Sequence, residues 1–240
     1  MKNDIIAIDV SEDYTHHVDR LLERSKLEIF EWFERPSETC RVKTYIYKDI
    51  ESLREGLRRR LNREYPWYLQ ACQVDEDKEK GIQRSINIYE TPIKSETNYS
   101  RKEYNSVIYH ELVHYITDIL FGKIPEWISE GIALYLDGSY KKDLTNLMKK
   151  VRTYQIPEVS KLIGNTFVVK DEQGNTVYNG YDYSYLMVRY IIETLGKDYL
   201  FSLIKNKEQI PLVEQTTLTD AIEYFNCQYL EEKTIKTPNL

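Results

Sequence analysis

Residues 107–136 read VIYHELVHYITDILFGKIPEWISEGIALYL, and this stretch indicates the fold. Before Gly122 the apolar side chains recur at spacings of three and four, which is the periodicity of an amphipathic helix. Gly122 lies where a C-terminal cap would be, and the fixed φ of Pro125 suits the first turn of another helix. The sequence therefore predicts two consecutive helices, over residues 99–121 and 125–136.

The first of these helices contains the pentapeptide HELVH at residues 110–114. Four residues of α-helix turn the chain by about 400°, so the side chains of His110 and His114 lie about 40° apart and one turn along the helix. Both imidazoles can therefore reach one metal ion, with Glu111 beside it. This arrangement suits Zn²⁺, which in catalytic sites keeps an open position for water. The alternative is a pair of ordinary surface histidines.

A third ligand is needed, because catalytic zinc is normally held by three protein side chains and a water. The pattern HExxHxxGxxH is excluded, since Thr117 and Leu120 occupy its last two fixed positions. The next helix offers two carboxylates. Glu126 is at the start of the helix, where the helix dipole explains an acid. Glu130 lies in an apolar stretch before Gly131, a residue that lets another helix pack closely. We therefore predict Glu130 as the third ligand.

The HELVH pentapeptide and the segment PEWISEGIALY together resemble the gluzincin metallopeptidases. The likeness is to the peptidase MA-like group, whose glutamate helix reads PxWxxEGxAxY, and bacterial collagenases have a similar segment. Residues 104–136 resemble this group strongly and residues 181–196 more loosely. The resemblance implies a zincin-like fold and one bound Zn²⁺. It also implies roles for four residues: the zinc ligands His110, His114 and Glu130, and the general base Glu111.

Two departures from related patterns matter. The chain lacks the NExxSD pattern of thermolysin, with Leu134 where an Asp would orient a histidine, so the orienting group stays open. It also lacks a GxMEN-like segment, which argues against an aminopeptidase. The resemblance thus implies a zinc endopeptidase that hydrolyses peptide or protein substrates. The alternatives are a catalytically silent binding or regulatory domain on the same scaffold, and a protein with structural zinc.

Peptide hydrolysis needs a donor to the developing oxyanion, and such donors are often tyrosine or histidine. The later helix offers Tyr181, Tyr183 and Tyr185. Helical spacing places Tyr181 and Tyr185 on one face and Tyr183 roughly opposite. The resemblance to the family's helix favours the start of this segment, and so implies Tyr181 or Tyr183 as the catalytic tyrosine. Packing is the alternative role for each of them, because the chain contains 21 tyrosines.

The rest of the sequence predicts a small N-terminal mixed sheet with helices and a mainly helical C-terminal half. Its periodicities favour helices over 11–33, 53–61 and 141–154, two or three more helices between 181 and about 233, strands over 41–48, 67–74 and 84–89, a charged turn over 75–81 and a hairpin over 167–178. By analogy with zincins, we expect the strand over 84–89 to be the sheet edge along which an extended peptide lies. The predicted fold class is α+β, in one domain over residues 1–240.

Composition excludes several classes of protein. The net charge of −6 has no dominant basic block, so no nucleic-acid partner is expected. No stretch approaches 18 apolar residues, and neither a membrane span nor a signal peptide is visible. The three cysteines are too scattered for a disulfide framework and favour free thiols in a reducing compartment. We therefore expect a monomeric, cytoplasmic protein.

Overall fold

The computed structural model describes residues 3–36, 40–62, 71–78, 81–90, 101–140 and 143–235. These residues group into two compact units, one within residues 1–120 and the other within residues 121–240. The prediction of a single domain over the whole chain stays a prediction.

The first unit is built around a four-stranded mixed sheet. Its elements are β1 (Asp4–Ile8), α1 (Glu12–Trp32), β2 (Lys43–Tyr47), α2 (Ile50–Leu61), β3 (Cys72–Lys78), β4 (Gly81–Tyr89) and α3 (Arg101–Phe121), the last of which ends just past the unit boundary. The strand order is β1-β2-β4-β3. β1, β2 and β4 run parallel, and β3 pairs antiparallel with β4.

Local capping explains where the first two helices begin. Ser11 caps α1, its side chain accepting a hydrogen bond from the backbone N–H of Tyr14, and Asp49 caps α2 in the same way from Ser52. A side-chain oxygen at this position satisfies one of the backbone donors that a helix start leaves without a partner. The helices predicted over 11–33 and 53–61 are confirmed. Strand β1 was not predicted, because its five residues are too few for a clear alternation.

The charged turn predicted over 75–81 is wrong. Strand β3 continues to Lys78 and β4 begins at Gly81, with Lys78 paired to Gly81 at the end of the ladder. Asp75 and Glu76 are accommodated in β3 because each has an oppositely charged partner on another element. Asp75 forms an ion pair with Arg84 of β4 at 2.8 Å, and Glu76 forms one with Arg60 of α2. The strand predicted over 67–74 is seen only from Cys72 onwards, since residues 63–70 lie outside the described part of the chain.

The substrate edge predicted over 84–89 is also wrong. Strand β4 lies inside the sheet, between β2 and β3. Its side chains from Ser85 to Tyr89 are all buried, as expected for a central strand. Within the described residues, β3 pairs only with β4 and is therefore an edge of the sheet.

Helices α2 and α3 contact opposite faces of this sheet. Successive side chains of a strand point to opposite faces. Glu76 of β3 pairs with Arg60 of α2, whereas Gln73, an odd number of residues away, contacts Asp118 of α3. Helix α3, which contains HELVH, thus lies on the Gln73 face of the edge strand.

The second unit is mainly helical. Its elements are α4 (Glu126–Asp137), α5 (Leu144–Val151), β5 (Val168–Lys170), β6 (Thr176–Asn179), α6 (Gly180–Tyr190), α7 (Lys197–Lys205) and α8 (Ile210–Ile235). Strands β5 and β6 form the predicted hairpin. The predicted α+β class is confirmed: a small N-terminal mixed sheet and a mainly helical C-terminal half. None of the described helices combines the length and apolar character that a membrane crossing requires.

Helices α4 and α6 approach each other closely at Gly131. A Cβ at this position would collide with the carbonyl oxygen of Ser184 and the side chain of Val188. Only glycine therefore allows this separation of the two helices. The prediction that Gly131 serves close packing beside Glu130 is confirmed, and this packing fixes the part of α4 from which Glu130 projects.

Candidate metal centre

The two histidines of HELVH lie at a distance suited to one metal ion. Their Nε2 atoms are 3.0 Å apart, and the rings meet edge to face with centroids separated by 4.7 Å. Two imidazoles bound tetrahedrally to Zn²⁺, with Zn–N bonds of about 2.0–2.1 Å, would place their nitrogens about 3.3 Å apart. A shift of a few tenths of an ångström would therefore let His110 and His114 hold one ion.

Glu130 completes this group. The ligand atoms of His110, His114 and Glu130 all lie within 4.8 Å of one another. In the part of the chain that the structure describes, no other set of three or more His, Cys, Asp or Glu side chains meets this condition. All three side chains are half-buried, which limits access by bulk water without sealing the group off. Two imidazoles and one carboxylate form a three-ligand set that suits Zn²⁺ and leaves one position for water.

Glu111 is held by the edge strand. One carboxylate oxygen, Oε2, accepts a hydrogen bond of 2.8 Å from the backbone N–H of Gln73 in β3. The negative charge of this carboxylate also affects the neighbouring Cys72 thiol. Burial, with a further contribution from the negative charge of Glu111, raises the pKa of Cys72 well above its ordinary value. The thiol is therefore protonated at neutral pH and is not a nucleophile.

A polar cluster lies beside Glu111 on the same face of the sheet; we call Gln73, Asp75, Arg84 and Asp118 the strand–helix cluster. The side-chain amide of Gln73 donates to Asp118 at 3.0 Å and to Asp75 at 3.1 Å. Arg84 donates to Asp75 at 2.8 Å and lies 3.5 Å from Asp118. The sequence analysis missed these residues. One signal was present: Asp118 follows His114 by one helical turn, an acid within an otherwise apolar part of the helix.

The predicted tyrosines differ in their surroundings. Tyr183 is fully buried, and its hydroxyl donates to the carbonyl of Gln155 at 3.1 Å. Tyr185 is also fully buried, and its hydroxyl accepts a hydrogen bond from Arg189. Tyr181 is 39% exposed and packs edge-on against Phe167. The hydroxyls of the two buried tyrosines thus have partners inside the second unit, whereas the Tyr181 side chain reaches the surface.

Burial affects the acid–base properties of these side chains. It raises the pKa of Tyr183 well above the ordinary tyrosine value, so the hydroxyl stays protonated. The pKa of the buried Asp182 is also raised, again chiefly by burial, although hydrogen bonds from Tyr140 and Tyr154 oppose the shift. The O–H group of Tyr154 donates to Asp182 at 3.0 Å. This carboxylate therefore helps to hold α6 against the preceding segment.

Glu126, the other carboxylate considered as a ligand, has a structural partner. Its Oε2 atom accepts a hydrogen bond of 2.9 Å from the backbone N–H of Gly164. The residue lies in the first turn of α4, where the helix dipole also favours an acid. Glu126 therefore ties the loop around Gly164 to the start of α4, a role beyond that of the dipole alone.

Comparison with known proteins gives one family. The profile described as the Peptidase MA superfamily matches residues 86–234, which is more than half of the chain. No curated protein is similar enough to this chain to count as a relative. The matched region includes the whole of α3 and α4, and with them His110, Glu111, His114 and Glu130. The chain belongs to the Peptidase MA superfamily.

Proposed function

We propose that this chain is a zinc-dependent endopeptidase of the gluzincin type. The observation that supports the proposal most strongly is the convergence of His110, His114 and Glu130 within 4.8 Å. Membership of the Peptidase MA superfamily makes a metallopeptidase-like function the first candidate. Three nitrogen and oxygen ligands leave a position for water, which favours a catalytic ion over a structural one.

The proposed chemistry divides between the metal and Glu111. A bound Zn²⁺ would lower the pKa of a water molecule and polarise the scissile carbonyl. Glu111 then acts as the general base, taking a proton from the attacking water and passing it to the leaving amine. The hydrogen bond from Gln73 engages only Oε2, so Oε1 remains for this transfer.

We propose that the substrate is an extended peptide that lies along β3. The N–H of Gln73 points to Glu111 instead of to the neighbouring strand, so this residue belongs to the set whose backbone groups face away from β4. The N–H of Gln73 is taken by Glu111, but other backbone groups directed outward from an edge strand can pair with an extended peptide. This pairing would bring a peptide bond of the substrate next to the carboxylate of Glu111.

We propose Tyr181 as the donor to the oxyanion. It lies one helical turn before Ser184, the α6 residue that contacts Gly131 beside Glu130. The Tyr183 hydroxyl donates to the carbonyl of Gln155, and moving it would break a part-buried hydrogen bond. Tyr183 remains the second candidate.

The change Tyr181→Phe should lower kcat and kcat/KM together, with KM little changed and zinc still bound. A donor that acts only on the transition state gives this signature. We expect a loss of at least about tenfold, below the cost of about 100-fold that is typical for one oxyanion donor. Tyr183→Phe is the matched control, and it should lower stability while leaving kcat unchanged. If Tyr183→Phe lowers kcat and Tyr181→Phe does not, the two roles are reversed. If neither variant loses turnover, the donor is another group.

The proposed activity can be tested with a mixed library of unstructured peptides. Zinc-loaded protein should cut internal peptide bonds, chelation should stop the cutting, and added zinc should restore it. Products released only from peptide ends would contradict an endopeptidase. Binding of the library without cleavage by the zinc-loaded protein would favour a catalytically silent scaffold.

A further inference from the structure

We propose that Gln73 is a positioning residue, clamped by Asp118, whose backbone N–H fixes the carboxylate of Glu111. The inference rests on the proposed role of Glu111 as general base. The Gln73 side chain contributes to turnover by keeping Glu111 in position, and not by contacting the substrate.

Gln73 contacts helix α3 at two separate points. Its backbone N–H donates to Glu111 at 2.8 Å, and its side-chain amide donates to Asp118 at 3.0 Å. Glu111 and Asp118 are seven residues apart, which is roughly 10 Å along the helix axis. The two contacts fix the position of Gln73 relative to two successive parts of the helix. One contact alone would define this position less well.

Asp118, the other end of the clamp, is itself held in place by Arg84. Asp118 is 9% exposed, and Arg84 lies 3.5 Å from its carboxylate. Arg84 is in turn oriented by Asp75, its direct partner in the β3–β4 ladder. The carboxylate that holds the Gln73 amide is therefore fixed by a residue of the central strand.

Glutamine suits position 73 because its side-chain amide can donate to two carboxylates. Two carboxylates, Asp75 and Asp118, face the guanidinium of Arg84 in the strand–helix cluster. The amide nitrogen of Gln73 donates to both carboxylates, at 3.1 Å and 3.0 Å. A glutamate here would add a third negative charge and no donor. A methionine of similar length would keep the backbone N–H but remove both donations.

The consequence for catalysis is control of the orientation of Glu111. With Oε2 held by Gln73, the carboxylate has one defined rotation, and Oε1 is presented for proton transfer. Losing the clamp would leave the backbone around Gln73, and with it the Glu111 carboxylate, less firmly placed, although β3 stays paired with β4. Misplacement of a catalytic group by about 1 Å can cost on the order of 100-fold in rate, and partial loss of one hydrogen-bonded support should cost less. The expected effect is mainly on kcat, because the proposed substrate pairs with the backbone of β3 and not with the Gln73 side chain, whose partners are Asp75 and Asp118.

The test compares Gln73→Met with Glu76→Gln. Both changes lie in β3 and weaken a contact to a neighbouring helix, but Glu76 faces α2 on the opposite side of the sheet. We expect Gln73→Met to lower kcat about tenfold with KM within about twofold of the parent and zinc retained. We expect Glu76→Gln to keep the parent kcat even if its unfolding midpoint falls as far.

Asp118→Ala removes the other end of the clamp and provides a second route to the same result. It should lower kcat by a similar factor, and the double variant should lose little more than either single variant, because the two residues act as one unit. Equal losses in Gln73→Met and Glu76→Gln, or fully additive losses in the double variant, would overturn the proposal.

Amide hydrogen exchange at residue 73 gives a readout that needs no turnover. The backbone N–H should be protected in the parent and should exchange about tenfold faster or more in Gln73→Met, while Glu76→Gln leaves it protected. Unchanged protection in Gln73→Met would overturn the positioning role. If the parent cleaves no peptide, the proposed peptidase function fails, and the exchange measurement still decides whether the clamp exists.

Discussion

Replacing Glu111 by glutamine should remove nearly all peptide hydrolysis while the zinc content and the unfolding midpoint stay at the parent values. An amide cannot accept the proton of the attacking water, and general-base catalysis contributes about 10²- to 10⁴-fold. We expect kcat to fall about 1,000-fold, in the middle of that range. The glutamine still offers an oxygen to the N–H of Gln73, so the local structure should persist. The measurements are kcat at saturating peptide, elemental analysis for zinc and a thermal unfolding curve.

The matched control for this variant is Glu126→Gln. Glu126, like Glu111, is half-buried and accepts a hydrogen bond from a backbone N–H, here that of Gly164. It should keep the parent kcat, because it has no proposed role in proton transfer. A Glu111→Gln variant that keeps more than about a tenth of the parent kcat would contradict the assignment of the base, since even the low end of general-base catalysis is about 100-fold.

Replacing Glu130 by alanine should weaken zinc binding itself. The variant leaves only His110 and His114 from the group within 4.8 Å, and catalytic zinc normally needs three protein ligands. Loss of a residue that only supports a ligand typically costs 10- to 100-fold in metal affinity, so loss of a ligand should exceed about 100-fold. Titration against a chelator of known affinity measures this change directly.

Glu126→Ala separates the two carboxylates of α4. It should leave the zinc affinity at the parent value and lower the free energy of unfolding by no more than about 1 kcal/mol, the usual worth of one hydrogen bond, because the N–H of Gly164 loses its acceptor in an exposed position. If Glu126→Ala released zinc and Glu130→Ala did not, the assignment of the third ligand would be reversed.

The parts of the site that depend on local spacing could be predicted from the sequence. The side chains of His110 and His114 are on one side of a helix because four residues make slightly more than one turn, and this needs no knowledge of the rest of the fold. Gly131 was recognised in the same way, because glycine is costly inside a helix unless something packs against it. Position 131 does face the backbone of Ser184.

The parts that depend on strand register could not be predicted. The residues DED of β3 suggest a turn when read alone, yet Asp75 and Glu76 are neutralised by Arg84 and Arg60, which lie elsewhere in the sequence. The edge position predicted for β4 came from the analogy with zincins, and the pairing of β3 with β4 places β4 inside the sheet. The role of Gln73 could not be predicted either, because it depends on the contact between the edge strand and α3, which are far apart in the sequence.

The surroundings of the tyrosines in α6 could not be predicted from the sequence either. Periodicity separates the face of Tyr183 from that of Tyr181 and Tyr185, but burial does not follow these faces, since Tyr183 and Tyr185 are both fully buried and Tyr181 is 39% exposed. The structure buries Tyr183 completely and gives its hydroxyl a backbone acceptor in Gln155. That acceptor lies 28 residues away in the sequence, which no local pattern could indicate.

X-ray absorption at the zinc edge, on protein purified without added metal, tests the central claim most directly. The account predicts about one Zn²⁺ per chain, with nitrogen and oxygen ligands at about 2.0–2.2 Å and the scattering pattern of two imidazoles. A protein that contains no zinc and cannot be loaded with it would contradict the account. So would a sulfur ligand at about 2.3 Å, because it would place a cysteine in the coordination that we assign to His110, His114 and Glu130.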